Sequence, residues 1–231
     1  MINFFSESLK KKRQSGFIPV VVDFKCISPS DGRLIKEEDA PGLAKRFEAA
    51  GAAAISVVTE TKDFGGSLEM LKNIVQAVNI PVLRKDFIRT KEEIDISVEC
   101  GAKAVLLMCS VMSREDMKIC YEHALKKGIE PLVETHSAEE MQFAKELGAG
   151  FIGINNRDIL NLEKDGGTVK RTVGILKKQE DDKAFYISES VLITKDDVLY
   201  AIGAGSDGVL IGTGIWKAAD PVEQFRIFES V

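Results

Sequence analysis

Short apolar runs, each closed by an ionisable, amide or hydroxyl residue, recur along almost the whole chain with helix-like segments between them. Few folds accommodate that alternation. Val20-Val21-Val22-Asp23-Phe24 runs into Lys25, Ala54-Ile55-Ser56-Val57-Val58 into Thr59-Glu60, Pro81-Val82-Leu83-Arg84 into Lys85, and Val105-Leu106-Leu107-Met108 into Cys109-Ser110. Pro131-Leu132-Val133 ends at Glu134, Phe151-Ile152-Gly153-Ile154 at Asn155, Phe185-Tyr186-Ile187-Ser188 at Glu189, and Val209-Leu210-Ile211 at Gly212-Thr213. The segments 41–50, 67–78, 91–100, 113–127 and 138–147 carry apolar residues at helical spacing. Several meet the next strand through Gly-Ala or Gly-Ile, at Gly51, Gly101, Gly128 and Gly148, where glycine supplies a left-handed cap.

Eight such units, from Val20 to Ile211, with a last helix at 221–228, predict an α/β fold: a single-domain (β/α)8 TIM barrel over 18–231 behind a short N-terminal helical extension at 1–17. A doubly wound open sheet fits less well. No GxGxxG follows the first strand, and the polar residues close nearly every strand instead of meeting at one switch point. The charged stretch at 179–183 reads as a surface loop at the far end of the barrel. With 231 residues, 45% of them hydrophobic, the chain can bury a substantial core.

A net charge of −5 speaks against a nucleic-acid partner, which calls for clustered positive surface. The one basic run, Lys10-Lys11-Lys12-Arg13, reads as the solvated end of a helix. Cys26, Cys100, Cys109 and Cys120 form no CxxC pair and have no histidine at zinc-ligand spacing, so they are read as reduced thiols, with neither metal nor disulfide. No apolar stretch approaches the roughly 20 residues of a membrane span, and the expected setting is cytoplasmic.

Because residues two apart on a strand share a face, Asp23 and Lys25 point one way, as do Ser56, Val58 and Glu60, then Leu83, Lys85 and Phe87, then Leu106 and Met108, then Leu132 and Glu134. A barrel therefore gathers lysines and glutamates at one mouth. Lys85 is the leading candidate acid, since a second lysine and apolar walls lower a lysine's pKa; a structural salt bridge with Asp86 or a nearby glutamate is the alternative. Glu134 is its counterpart as base. His136 reads as a loop residue and His123 as surface. Ser188-Glu189-Ser190-Val191 and Ile211-Gly212-Thr213-Gly214-Ile215-Trp216 follow the seventh and eighth strands, where barrels bind phosphate at a short extra helix. Gly65-Gly66-Ser67 reads as a turn and a helix cap.

These residues resemble the indole-3-glycerol phosphate synthase family along nearly the whole chain. The matching stretches are Lys25 with Ser28-Pro29-Ser30, Ser56 to Glu60, Leu83-Arg84-Lys85-Asp86-Phe87, Leu132-Val133-Glu134, Gly153-Ile154-Asn155-Asn156-Arg157-Asp158, Ser188-Glu189-Ser190 and Ile211-Gly212-Thr213. The resemblance implies ring closure, decarboxylation and dehydration of 1-(2-carboxyphenylamino)-1-deoxyribulose 5-phosphate, a carboxy-lyase step of tryptophan biosynthesis that uses no cofactor or metal. It implies catalytic roles for Lys85, Glu134, Lys25 and Asp23. Substrate contacts fall to Ser28, Glu60, Phe87, Leu106, Met108, Asn155, Arg157 and Glu189, and phosphate contacts to Lys25, Ser190, Gly212 and Thr213. The implied partner is a small phosphorylated molecule, with no nucleic acid or membrane, bound by a monomer or weak homo-oligomer.

The chain departs from the family pattern in three places. Asp23 stands where a glutamate is usual, Val191 replaces the glycine of the Glu-Ser-Gly motif, and only about one helix precedes the first strand, which implies a reduced lid. Those departures leave open a diverged lyase or isomerase acting on another phosphorylated substrate, or a non-catalytic binding paralogue.

Overall fold

The computed structural model describes residues 5–157, 167–176 and 183–230. The apolar runs become strands: β1 (Val20–Phe24), the short hairpin strands β2 (Ile27–Ser28) and β3 (Gly32–Arg33), then β4 (Ile55–Val58), β5 (Val82–Lys85), β6 (Ala104–Met108), β7 (Glu130–Thr135), β8 (Phe151–Asn155), β9 (Phe185–Glu189) and β10 (Gly208–Ile211). All but the hairpin pair join in parallel into a closed barrel, ordered β1-β10-β9-β8-β7-β6-β5-β4. Closure shows in the register at Val22, which lies opposite Ile211 on one side and Ile55 on the other. The eight-unit expectation holds.

Around the barrel run α2 (Ala40–Ala49), α3 (Leu68–Ala77), α4 (Lys91–Glu99), α5 (Arg114–Lys127), α6 (Ala138–Glu146), α7 (Lys170–Ile175), α8 (Lys195–Gly203), α9 (Thr213–Trp216) and α10 (Pro221–Glu229), with α1 (Phe5–Gln14) ahead of them. Side-chain caps start five of the helices that leave the strand ends, α3, α4, α5, α6 and α8. Ser67, Ser113 and Ser137 each accept an N–H from the first turn, and Thr90 and Thr194 form reciprocal capping boxes, each cap contributing about 1 kcal/mol. At the other ends Gly51, Gly101, Gly128 and Gly148 take φ of 100°, 86°, 75° and 77°. The left-handed caps expected from sequence are present.

Strand alternation divides the apolar residues into two sets. Val21, Ala54, Leu83, Ala104, Leu106, Leu132, Phe151, Phe185, Ile187 and Leu210 fill the interior of the barrel. Their neighbours, such as Val20, Val22, Val57, Val82, Val105, Val133 and Ile152, pack outward against the helices. The N-terminal end of the barrel is plugged by α1: Phe5 stacks on Phe151 with ring centroids 5.8 Å apart, and the Ser6 backbone N–H and hydroxyl both donate to the buried Glu130 carboxylate at 2.8 and 2.6 Å. The N-terminal helix thus sits at the end opposite the strand C-termini. Two members of the basic run anchor it there and are not merely solvated, as sequence suggested. Lys12 pairs with Glu229 at 2.8 Å and donates to Gly51 O, and Arg13 donates to Asp207 O.

His123 also differs from expectation. It lies half-buried between α5 and α4, with Nε2 2.8 Å from Asp95 Oδ1. Among the described residues no helix is long and apolar enough to cross a membrane, and the four cysteines are free thiols. Asp158 and residues 179–182, the bulk of the expected charged loop, lie outside the described residues.

Glu229 makes stability depend on pH. Burial pushes its carboxyl up to about 7 in spite of Lys12. The folded state then holds a proton that the unfolded chain releases near pH 4.5, so the stabilising contribution is full below that value and is lost as pH rises through about 7. Chemical denaturation of wild type and Glu229→Gln between pH 5 and 8 should show wild type losing stability relative to the variant with rising pH, by on the order of 3 kcal/mol. A pH-independent difference would contradict this.

Candidate active site

A cavity opens at the C-terminal ends of the strands, with an empty volume of about 830 Å³. Asp23, Lys25, Val58, Glu60, Lys85, Phe87, Leu106, Met108, Asn155, Arg157, Ser190, Gly212 and Thr213 all line it. Of the residues singled out from sequence, Ser28, Glu134 and Glu189 do not appear in that lining. Ser28 is a buried residue of the β2–β3 hairpin itself, where its hydroxyl meets Ser30 and Asp31. Glu134 and Glu189 lie beneath the cavity floor, both fully buried.

Lys85 connects floor and cavity. Its Nζ is 3.6 Å from Glu134 Oε2 and 3.6 Å from Glu189 Oε2, with the lysine side chain 15% exposed. The neighbouring pair points the other way. Arg84 Nη2 meets Asp86 Oδ2 at 3.0 Å, and the same guanidinium donates to Thr59 Oγ1, Glu93 O and Ser97 Oγ. Asp86 is therefore committed to Arg84, and the lysine's salt bridge goes to the glutamates across the barrel.

Two carboxylates beside one ammonium in a dry site cannot both ionise at their ordinary pKa. The Glu189 carboxyl is raised, first by burial and then by the charge of Glu134. A protonated Glu189 can donate a hydrogen bond where an ionised one would only accept.

The rest of the floor is built around these groups. Gly153, level with Glu134 in the β7–β8 register, leaves the space that Glu189 fills; a Cβ there would overlap Glu189 Oε1. Asp23 accepts from the Ser56 hydroxyl at 2.6 Å, and its backbone carbonyl accepts from Trp216 Nε1 at 2.7 Å. Asn155 accepts the Arg157 N–H through Oδ1 at 3.0 Å. Glu60 spends both oxygens on its own loop, accepting from the N–H groups of Lys62, Asp63 and Phe64. Lys25 lies 5.6 Å from the centroid of Phe64.

Sequence reading gave Asn156 no role, yet it ties two loops together. Its Nδ2 donates to Ser188 Oγ, Glu189 O and Ser190 O, while Oδ1 accepts from the Thr172 N–H and hydroxyl. Beyond that tie, Ser190 and Val191 adopt φ of 68° and 61°. The chain keeps at Val191 the left-handed backbone that glycine adopts freely, at a strain of roughly 1–2 kcal/mol for an L side chain. Gly214 lies so close to the Leu192 carbonyl that a Cβ would overlap it, which draws the loops after β9 and β10 together along one wall. Gly65 takes φ 64° and Ser67 caps α3, as expected.

Gly153→Ala should cost about 1–3 kcal/mol of stability through overpacking. In a Glu189→Ala background, where the obstructing carboxyl is gone, the same substitution should cost far less. Equal costs in both backgrounds, measured by urea denaturation, would show that Gly153 does not make room for Glu189.

The family model described as indole-3-glycerol phosphate synthase matches residues 2–228. An indole-3-glycerol phosphate synthase from Pyrococcus abyssi is 38% identical over 91% of this chain and 90% of its own length. One from Pyrococcus furiosus is 37% identical over 96% and 95%, and one from Bacillus mycoides 36% identical over 87% and 78%. Among solved structures, a thiamine phosphate pyrophosphorylase from Pyrococcus furiosus superposes with a TM-score of 0.64 at 17% identity, covering 91% of this chain and 93% of that one; that likeness concerns the fold alone. With the match running almost from end to end, the chain belongs to the indole-3-glycerol phosphate synthase family.

Proposed function

We propose that this protein closes the indole ring of indole-3-glycerol phosphate from 1-(2-carboxyphenylamino)-1-deoxyribulose 5-phosphate, releasing carbon dioxide and water. The observation that carries the reading is Lys85 held at 3.6 Å from both Glu134 and Glu189 under a cavity walled by Phe87, Leu106 and Met108. A proton donor, a buried base and a slot for an aromatic ring meet in one place.

In this reading Lys85 protonates the ketone oxygen as the aromatic carbon attacks. Loss of carbon dioxide then restores the aromatic ring. Glu134 takes a proton from the carbon beside nitrogen, and Lys25, aligned by Asp23, serves the departing hydroxyl. Asn155 and Glu189 orient the sugar hydroxyls, Arg157 faces the carboxylate, and Glu60 holds the wall at 60–66. Lys25, Ser190, Gly212 and Thr213 hold the phosphate, in keeping with their shared position along the cavity lining. Ser28 acts from the hairpin behind Lys25. No metal or cofactor enters the scheme.

The proton count follows from the atoms. The ketone oxygen gains two protons to leave as water, the carbon beside nitrogen loses one, and the carboxylate departs as neutral carbon dioxide. Each turnover consumes one proton. We place the reaction in the cytoplasm, in a single-domain monomer or weak homo-oligomer that acts on a small phosphorylated molecule.

Turnover of the substrate, followed by indole fluorescence, tests the activity; folded protein without turnover would overturn it. Lys85→Ala should lower kcat by about 10²–10⁴-fold, the usual contribution of a positioned acid. An unchanged rate would remove Lys85 from that role.

A further inference from the structure

The mechanism leaves one buried histidine without a task. His136 follows β7 directly, and its side chain is only 11% exposed. Neither ring nitrogen has a well-aligned hydrogen-bond partner, yet each faces a carboxylate. Nε2 is 3.4 Å from Glu134 Oε1, and Nδ1 is 3.4 Å from Glu140 Oε2. The Glu134 oxygen involved is not the one that faces Lys85, which is Oε2. Glu134 is fully buried, whereas the Glu140 side chain is 25% exposed. Lys85, Glu134, His136 and Glu140 thus form an unbroken row from the cavity to the outer rim at the start of α6.

We propose that His136 is a positioning and relay residue that carries the proton taken up by Glu134 outward, by way of Glu140, to solvent. The proposal rests on the base role of Glu134 in the reaction above. In that reaction Lys85 and Lys25 each give a proton and line the cavity, where solvent restores them once the product leaves, whereas Glu134 gains one and is fully buried. Exit through the side wall frees the base without a path through the filled cavity. The balance is simple: Glu134 hands a proton to Nε2, Nδ1–H passes one to Glu140 and on to solvent, and the imidazole returns to its starting charge; two protons in and one out give the net uptake of one. Contacts of 3.4 Å need only a small side-chain adjustment to become hydrogen bonds, and catalytic contacts commonly tighten once a ligand is bound.

The surroundings suit such a relay. Burial disfavours the imidazolium, but Glu140 and Glu134 outweigh it and raise the His136 pKa, with Arg171 opposing them from α7. Cys109 faces the same two carboxylates, with Arg114 opposing their effect on it. The Cys109 thiol is pushed up to about 12, by burial and then by Glu140 and Glu134, and so stays neutral. Glu140 is held in place by the backbone N–H of His136, which it accepts at 2.6 Å.

The test is the pH dependence of kcat and KM for wild type, His136→Gln, His136→Gly, Glu140→Gln and Glu134→Gln, each checked for folding by circular dichroism. His136→Gln should lower kcat by about 10-fold or more with KM little changed, and should lose the part of the pH profile that belongs to the imidazole. Added imidazole should restore much of the rate to His136→Gly, and Glu140→Gln should shift the same limb of the profile. Full kcat in His136→Gln across the pH range would overturn the relay. So would a pH-independent loss in both His136 variants that imidazole does not repair. Full activity in Glu134→Gln would instead overturn the base assignment, which separates failure of the relay from failure of the reading beneath it.

Discussion

Two fully buried carboxyl groups meet one ammonium at the floor of the cavity, and the surrounding structure is arranged to make that tolerable. An isolated buried charge is expensive, and removing one partner of a buried group costs about 3–5 kcal/mol. Here the number of acidic groups exceeds what Lys85 can neutralise, and burial followed by the charge of Glu134 raises the Glu189 carboxyl toward its protonated form. The outcome is an ammonium 3.6 Å from each of two fully buried carboxyl groups, one of them with a raised pKa. Environments that push the pKa values of neighbouring groups apart assign acid and base roles within a single site.

Strand alternation supplies the separation this needs. The step from Arg84 to Lys85 reverses the face, sending the first cation outward to Asp86 and the second inward to the glutamates. Gly153 yields its side-chain space to a carboxyl from the next strand, β9. Asn156 fixes the loop in which Ser190 and Val191 hold their left-handed backbone. At the other end, Phe5 and Ser6 of α1 seal the barrel against Phe151 and Glu130, so rigidity at the bottom supports chemistry at the top.

Local signals carried most of this architecture. The change of period between strands and helices, the cap glycines such as Gly128, and Ser67 ahead of α3 all act within a few residues, and all were readable. The shared face of Asp23 and Lys25, or of Lys85 and Phe87, followed from alternation alone. What escaped depends on distant pairing. That Gly153 makes room for Glu189 requires the β8–β9 register, and the task of His136 requires α6 to swing Glu140 back over it. The buried tie made by Asn156 depends on Thr172 and Ser188 arriving together. Nor could the position of α1 be read, because an amphipathic helix does not declare which end of a barrel it will cover.

The most direct test of the central claim is a carboxyl-carbon NMR titration of the glutamates in wild type and Glu189→Gln. The account expects one resonance that is absent from the variant and titrates well above the ordinary glutamic acid value of about 4.3, because burial and Glu134 hold the proton there. If the resonance lost from Glu189→Gln titrates at the ordinary value, the two glutamates and Lys85 do not form the dry, proton-sharing floor on which this description rests.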